Sequence, residues 1–269
     1  MKTPPLKSLL AAVMACLLGA ARPPQLALGQ TAAPAPEAVS GLDERLVGST
    51  LVWFSGKSLP ELQAYLKRVP ALQLNERARA DAIRQVGGYK LERSVNPTGK
   101  KYRSASERIV RQLTPVVDFY GTRDIRLLFY EDKTPYIALS GSYVLCISTG
   151  LLDLMKDDGE LQGLFAHEVA HKLVAYNLAA ARQAGDWPKV REQEQWCDGA
   201  AVVTLLSLGR DPEAYPRAIR RLADWHREHG KPAEGPRTHP TPETRAEFCA
   251  RLIRSVRERE AKVAQGASR

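Results

Sequence analysis

Two histidines stand four residues apart in His167-Glu168-Val169-Ala170-His171, an HExxH pattern. On an α-helix, residues at i and i+4 project from one face, about one turn apart. Two imidazoles so placed can meet one zinc ion with bonds of about 2.0–2.1 Å. The pattern therefore requires a helix through 167–171 and a second element that brings up a third ligand. Asp157-Asp158-Gly159-Glu160 upstream reads as the start of that helix, with Asp157 and Glu160 spaced as a capping box. Glu168, next to the first histidine, is placed to take a proton from a metal-activated water and to return one to a leaving group.

A catalytic zinc needs three protein ligands and one open position. The longer HExxHxxGxxH pattern is absent, because Val174 stands at the glycine place and Asn177 at the last histidine place. The third ligand must come from a later segment. Residues 191–201 (REQEQWCDGAA) lead into the apolar run VVTLLSL and read as a second helix packed beside the first. Glu194 and Asp198 share a face there. Glu194 as ligand with Asp198 behind it is a coherent assignment, and outer carboxylates of this kind orient ligands. Glu192 remains the rival ligand on spacing alone. Cys146 and Cys197 lack metal-site spacing to the histidines and read as small buried residues.

Around this helix the pattern is mixed. Residues 104–121 form an amphipathic helix with Ile109, Val110, Leu113, Val116 and Val117 apolar, and 125–131 (IRLLFYE) form a short strand. Residues 135–149 read as two short strands broken at 140–142, closed by Gly150-Leu151-Leu152. Residues 42–103 read as a helical accessory segment. One helix there opens at Ser58-Leu59-Pro60-Glu61, and another, 75–86, is closed by Gly87 and Gly88. The expected architecture is a helix-rich α+β domain, with a small sheet flanking the HExxH helix.

The N-terminus is read as an address. Met1 to Lys7 is basic, and Leu9 to Ala21 is an apolar core too short for a span of about 20 residues. Residues 1–29 are expected to be an export signal cleaved after Gly29, and 30–41 a Pro/Ala-rich tether. Val13-Met14-Ala15-Cys16 is a poor lipobox, so lipidation at Cys16 is the lesser expectation. Loss of Cys16 leaves Cys146, Cys197 and Cys249, which can form at most one internal disulfide. The net charge of +9 includes Lys2, Lys7 and Arg22 of the signal, and the remaining charges are spread along the chain. That distribution suits solubility and peripheral contact with an anionic membrane, and no nucleic acid is expected as a partner. With 44% hydrophobic and 26% charged residues, fibrous and wholly disordered chains are excluded.

Four landmarks occur in order: Gly141-Ser142-Tyr143-Val144 through Ser148-Thr149-Gly150-Leu151-Leu152; HEVAH at 167–171; Glu194-x-x-x-Asp198; and Thr238-His239-Pro240 followed by Arg245. With these, residues 104–255 resemble the metallopeptidase family that includes HtpX, BepA and the CAAX prenyl proteases, zinc peptidases with a glutamate third ligand. The resemblance implies a zincin-like domain over 104–258, followed by a polar tail over 259–269. It implies one zinc per chain on His167, His171 and Glu194, Glu168 as general base, and Asp198 supporting a ligand. His239 would lie near the metal, donating to a developing oxyanion or guarding the open position, and Arg245 would be structural, paired with a carboxylate. Tyr143 and Val144 fall at a strand on the cleft rim, where an extended substrate would add. The chain departs from the family at Pro135-Tyr136-Ile137-Ala138, at Ser142 and at Cys197, and the short connection from His171 to Glu194 leaves no room for a membrane hairpin.

The implied activity is that of an exported, periplasmic zinc metalloendopeptidase acting on unfolded or misassembled cell-envelope proteins. The alternative is a chaperone-like or gated polypeptide-binding module with a zinc site and little cleavage.

Overall fold

The protein is described by a computed structural model over residues 43–68, 100–122, 124–141, 143–230 and 238–267. The expected signal, the tether, the 75–86 helix and Ser142 lie outside the described residues. Among the described residues two short helices come first, α1 (Glu44–Ser55) and α2 (Leu59–Leu66). The Ser58 hydroxyl accepts from the Glu61 N–H, and the Glu61 carboxylate accepts the Ser58 N–H at 2.7 Å. The capping box read at 58–61 therefore forms. Then follow α3 (Lys100–Tyr120), β1 (Arg126–Tyr130), β2 (Ile137–Ser140), β3 (Val144–Ser148) and α4 (Thr149–Leu154). The chain continues through α5 (Asp158–Ala184), α6 (Trp187–Ser207), α7 (Ala214–Glu228) and α8 (Pro242–Ala267). Helices dominate beside one three-stranded sheet, the α+β zincin-like arrangement that the sequence implies.

The sheet order is β1-β3-β2, with β1 parallel and β2 antiparallel to β3. All five residues of β3 are buried, which fits a central strand with both faces covered. Gly150 does more than close this strand. It sits in the first turn of α4, whose cap is the Ser148 hydroxyl accepting the Leu151 N–H at 3.1 Å. A Cβ at Gly150 would fall 2.3 Å from the Lys133 carbonyl oxygen, so only glycine lets that loop approach.

The long helix α5 begins at Asp157, whose carboxylate accepts the Gly159 N–H at 2.7 Å. The capping box expected here does not close. Glu160 is buried and turns instead to Arg221 of α7, at 3.0 and 3.1 Å, because a charge taken from water needs a full counter-charge. Arg108 of α3 donates to Asp158 and to the carbonyls of Leu152 and Met155, which fixes the α4–α5 junction. Gly185, at φ 68°, ends α5, and Asp186 at once caps α6 by accepting the Lys189 N–H at 3.0 Å. This tight reversal lays α6 against α5 in the most extensive helix contact of the described residues.

The described part of the accessory segment belongs to the same core. Val47, Phe54, Leu62 and Leu66 are fully buried in one cluster with Val169 and Ala170 of α5 and Phe248 of α8. Phe54 lies over Gly199 of α6, where an added Cβ would meet the ring at 2.4 Å. The expected polar tail, as far as Ala267, continues α8 as a mostly exposed helix.

Phe54→Ala should lower stability by about 3–5 kcal/mol, and Gly199→Ala by about 1–3 kcal/mol through overpacking of the same contact. Urea unfolding of the two variants checks both values.

Candidate metal centre

α5 supplies His167 and His171, whose rings stand edge to face with centroids 4.9 Å apart. α6 supplies Glu194, which is 1% exposed. Its Oε2 lies 3.5 Å from His167 Nε2 and 3.4 Å from His171 Nε2. Ligands bonded at about 2.0–2.1 Å in a tetrahedron stand about 3.4 Å from one another. Both distances match that edge, so Glu194 Oε2 stands where it could share an ion with each imidazole. Among the described residues nothing donates a well-directed hydrogen bond to Glu194 Oε2, although it is buried. A buried carboxylate oxygen left so is costly, and a cation at the centre of the three groups would satisfy it.

Glu168 also lies here. One atom each from His167, Glu168 and His171 falls within 4.8 Å of the others. Glu168 Oε2 accepts the Leu139 N–H of β2 at 2.8 Å. The register explains why that N–H is available. Tyr136 pairs with Ser148, and alternate β2 residues then face β3, so Ile137 and Leu139 turn their backbone groups toward α5. His239 enters from the segment before α8, with Nε2 3.2 Å from Glu194 Oε2 and Nδ1 3.0 Å from Thr238 Oγ1. The sequence-derived set His167, Glu168, His171, Glu194 and His239 therefore converges. Glu192 pairs with Lys189 at 2.6 Å instead.

Behind the ligands the assignment changes. Asp198 supports His167 rather than Glu194, with Oδ1 3.0 Å from His167 Nδ1. Arg245 donates to both Asp198 oxygens, at 2.8 and 3.0 Å. Tyr215 of α7, which the sequence did not mark, joins them, its hydroxyl 2.7 Å from His167 Nδ1 and 2.5 Å from Asp198 Oδ1. Arg182 donates to Glu194 Oε1 at 3.3 Å, which leaves Oε2 for the centre. Cys197 is buried as expected, but its sulfur lies 3.6 Å from His171 Nδ1, the nitrogen facing away from Glu194. No spacing rule reaches Arg182 or Tyr215, since each depends on where a helix end or a third helix docks. Gly163, one turn before His167, is the one local sign of room for a large neighbour.

Electrostatics follow this wiring. Burial disfavours charged His167, yet the nearby carboxylates of Asp198 and Glu194 prevail and raise its pKa to about 10. Burial lowers that of His171. Burial alone would raise the pKa of Glu194, but the neighbouring His171 and His239 hold it well below the usual carboxylate range. Asp198 is likewise depressed, because Arg245 and His167 outweigh its burial. Burial, and then the charge of Glu194, pushes the Cys197 thiol up. Cys146 and Cys249 are likewise buried free thiols.

Arg245→Ala strands the Asp198 carboxylate, and stability should fall by about 3–5 kcal/mol. Because folding lowers the Asp198 pKa, its contribution is complete above an unfolded value of about 3.9 and is lost as pH falls through the folded one. In Arg245→Ala the depression is relieved, so urea unfolding between pH 7 and pH 3 should show a weaker acid dependence.

The expectation of a substrate strand at Tyr143 and Val144 is corrected by the topology. Val144 pairs with Arg126 on one side and Ser140 on the other, and the Tyr143 carbonyl accepts the Arg126 N–H. A central strand has no free edge, and the edge beside the centre is β2.

No curated protein matches the chain. The sequence model described as Peptidase family M48 matches residues 135–178, which run from the approach to β2 through β3 and α4 to beyond His171. Over that segment, which carries His167, Glu168 and His171, the chain is similar to peptidase family M48, a family of metallopeptidases.

Proposed function

We propose that the protein is a zinc-dependent endopeptidase with one zinc per chain, held by His167, His171 and Glu194. The observation that carries this reading is the buried Glu194 Oε2, facing two ring nitrogens of α5 at the edge length of a zinc tetrahedron. Zinc, when bound, supplies a Lewis acid that polarises a scissile carbonyl and acidifies water. The chain supplies the proton transfers. Glu168, tied to β2 through one carboxylate oxygen, keeps the other to take a proton from water and pass it to the leaving amine. His239 stands where its Nε2 can donate to an oxyanion.

The backbone groups of Ile137 and the Leu139 carbonyl face the centre side of β2, while the Leu139 N–H is held by Glu168. An extended polypeptide pairing there would be accepted by its main chain, whatever its sequence. This supports unfolded polypeptide as the substrate class. Together with the signal-like residues 1–29, it leads to misassembled envelope proteins in the periplasm as the natural targets. Among the described residues no helix is long and apolar enough to cross a membrane.

The position of His239 favours one further reading. At 3.2 Å from Glu194 Oε2 its imidazole competes for the fourth position, and a gated polypeptide-binding module would use it so.

Residues 30–269 with added zinc should cleave an unfolded model protein. Glu168→Gln should retain polypeptide binding and lose cleavage by at least about 10²-fold, and chelation should abolish it. Zinc binding without cleavage by the wild type would favour the gated reading.

A further inference from the structure

Tyr215 has no place in the metal pattern, yet its hydroxyl has three polar partners beside the centre. It contacts His167 Nδ1 at 2.7 Å, Asp198 Oδ1 at 2.5 Å and Arg245 Nη2 at 2.8 Å. A phenol has one O–H to donate and lone pairs to accept with. Arg245 can only donate, and Asp198, both of whose oxygens already accept from Arg245, stands as an acceptor. The tyrosine proton therefore goes to Asp198. What the hydroxyl presents to His167 is a lone pair, so His167 Nδ1 must carry a proton. The nitrogen left to bond a metal is then Nε2, which faces Glu194 Oε2.

A second observation concerns how the ring is seated. Tyr215 is fully buried, and its ring lies nearly parallel to that of His167, with centroids 5.8 Å apart. Gly163, inside α5 and one turn before His167, lies directly beneath it. An added Cβ there would come 2.8 Å from Tyr215 Cβ and 3.1 Å from its Cα. A glycine in a helix interior costs about 1 kcal/mol relative to alanine. The helix that carries both histidines therefore bears that cost where it admits Tyr215.

We infer that Tyr215 is a positioning residue whose hydroxyl locks His167 in the tautomer that offers Nε2 to the metal, an inference that rests on the zinc reading of the site. Asp198 and Arg245 set the direction of the Tyr215 O–H, and Tyr215 passes that direction on to the imidazole. Because Asp198 Oδ1 also lies 3.0 Å from His167 Nδ1, the N–H is shared between two acceptors and the ring is held from two sides.

The test is zinc affinity of the metal-free full chain, measured by competition with a chromophoric chelator at one pH, beside thermal unfolding of the same samples. Tyr215→Phe keeps the ring against Gly163 and removes only the hydroxyl. It should bind zinc about 10–100-fold more weakly while unfolding within a few degrees of the wild type. A ring that merely fills space predicts unchanged affinity, and that result would overturn the inference. Gly163→Ala repeats the test with the hydroxyl retained but displaced. It too should bind more weakly, and wild-type affinity in this folded variant would count equally against the inference. In the zinc-loaded wild type, ¹H–¹⁵N correlation of the histidine rings should show His167 protonated at Nδ1, and protonation at Nε2 would overturn it. Failure of the wild type itself to bind zinc would remove the metallopeptidase reading and this inference with it, an outcome distinct from wild-type binding that Tyr215→Phe leaves intact.

Discussion

One buried carboxylate ties the helical layer together. Asp198 sits on α6, and its partners come from three other helices: His167 on α5, Tyr215 on α7 and Arg245 on α8. A charge buried this deeply is tolerable only if every lone pair is used, and here each oxygen has a donor. The same condition that makes Asp198 tolerable fixes how four helices dock. A small shift of α7 or α8 would break a charged hydrogen bond in a water-poor interior, where breaking one is most costly. Packing of apolar faces brings these helices together, and the carboxylate selects one arrangement among the near-equivalent ones.

The sheet contributes a different kind of precision. Glu168 belongs to α5, but the backbone of β2 holds its carboxylate. Glu168, the proposed general base, therefore takes its position from both layers of the fold. Register decides whether this is possible, since a shift of one residue in β2 would turn the Leu139 N–H toward β3. The strand that holds Glu168 is also the strand whose edge lies beside the proposed metal position, so in the proposed reaction polypeptide binding and proton transfer would share one ruler.

Much of this was legible in the sequence because it is local. His167, Glu168 and His171 lie within one turn and a half of a helix, and the Ser58–Glu61 cap is closed by near neighbours. Three short strands and the long active-site helix follow from periodicity and breakers. The choice of Glu194 over Glu192 needed the resemblance, since two glutamates on one helix differ only in the face that tertiary packing buries. Misreadings arose where long-range partners decide. Glu160 looked like a cap residue, but Arg221 lies 61 positions away in sequence. Tyr143 and Val144 looked like a rim because strand order is not written in strand sequence. Tyr215 could not be seen at all, since a tyrosine in an amphipathic helix is ordinarily core.

The seat of Phe54 on Gly199 redraws the boundary of the catalytic unit. Gly199 directly follows Asp198, so a ring from the first described helix plugs the core right behind the carboxylate that organises the site. Asp43 and Glu44 are also fastened to α8, through Thr244 and Arg251. The described part of the segment that looks like an appendage is the floor under the proposed metal centre. A fragment trimmed to 104–258 would carry every residue of the motif and still lack the surface on which they rest.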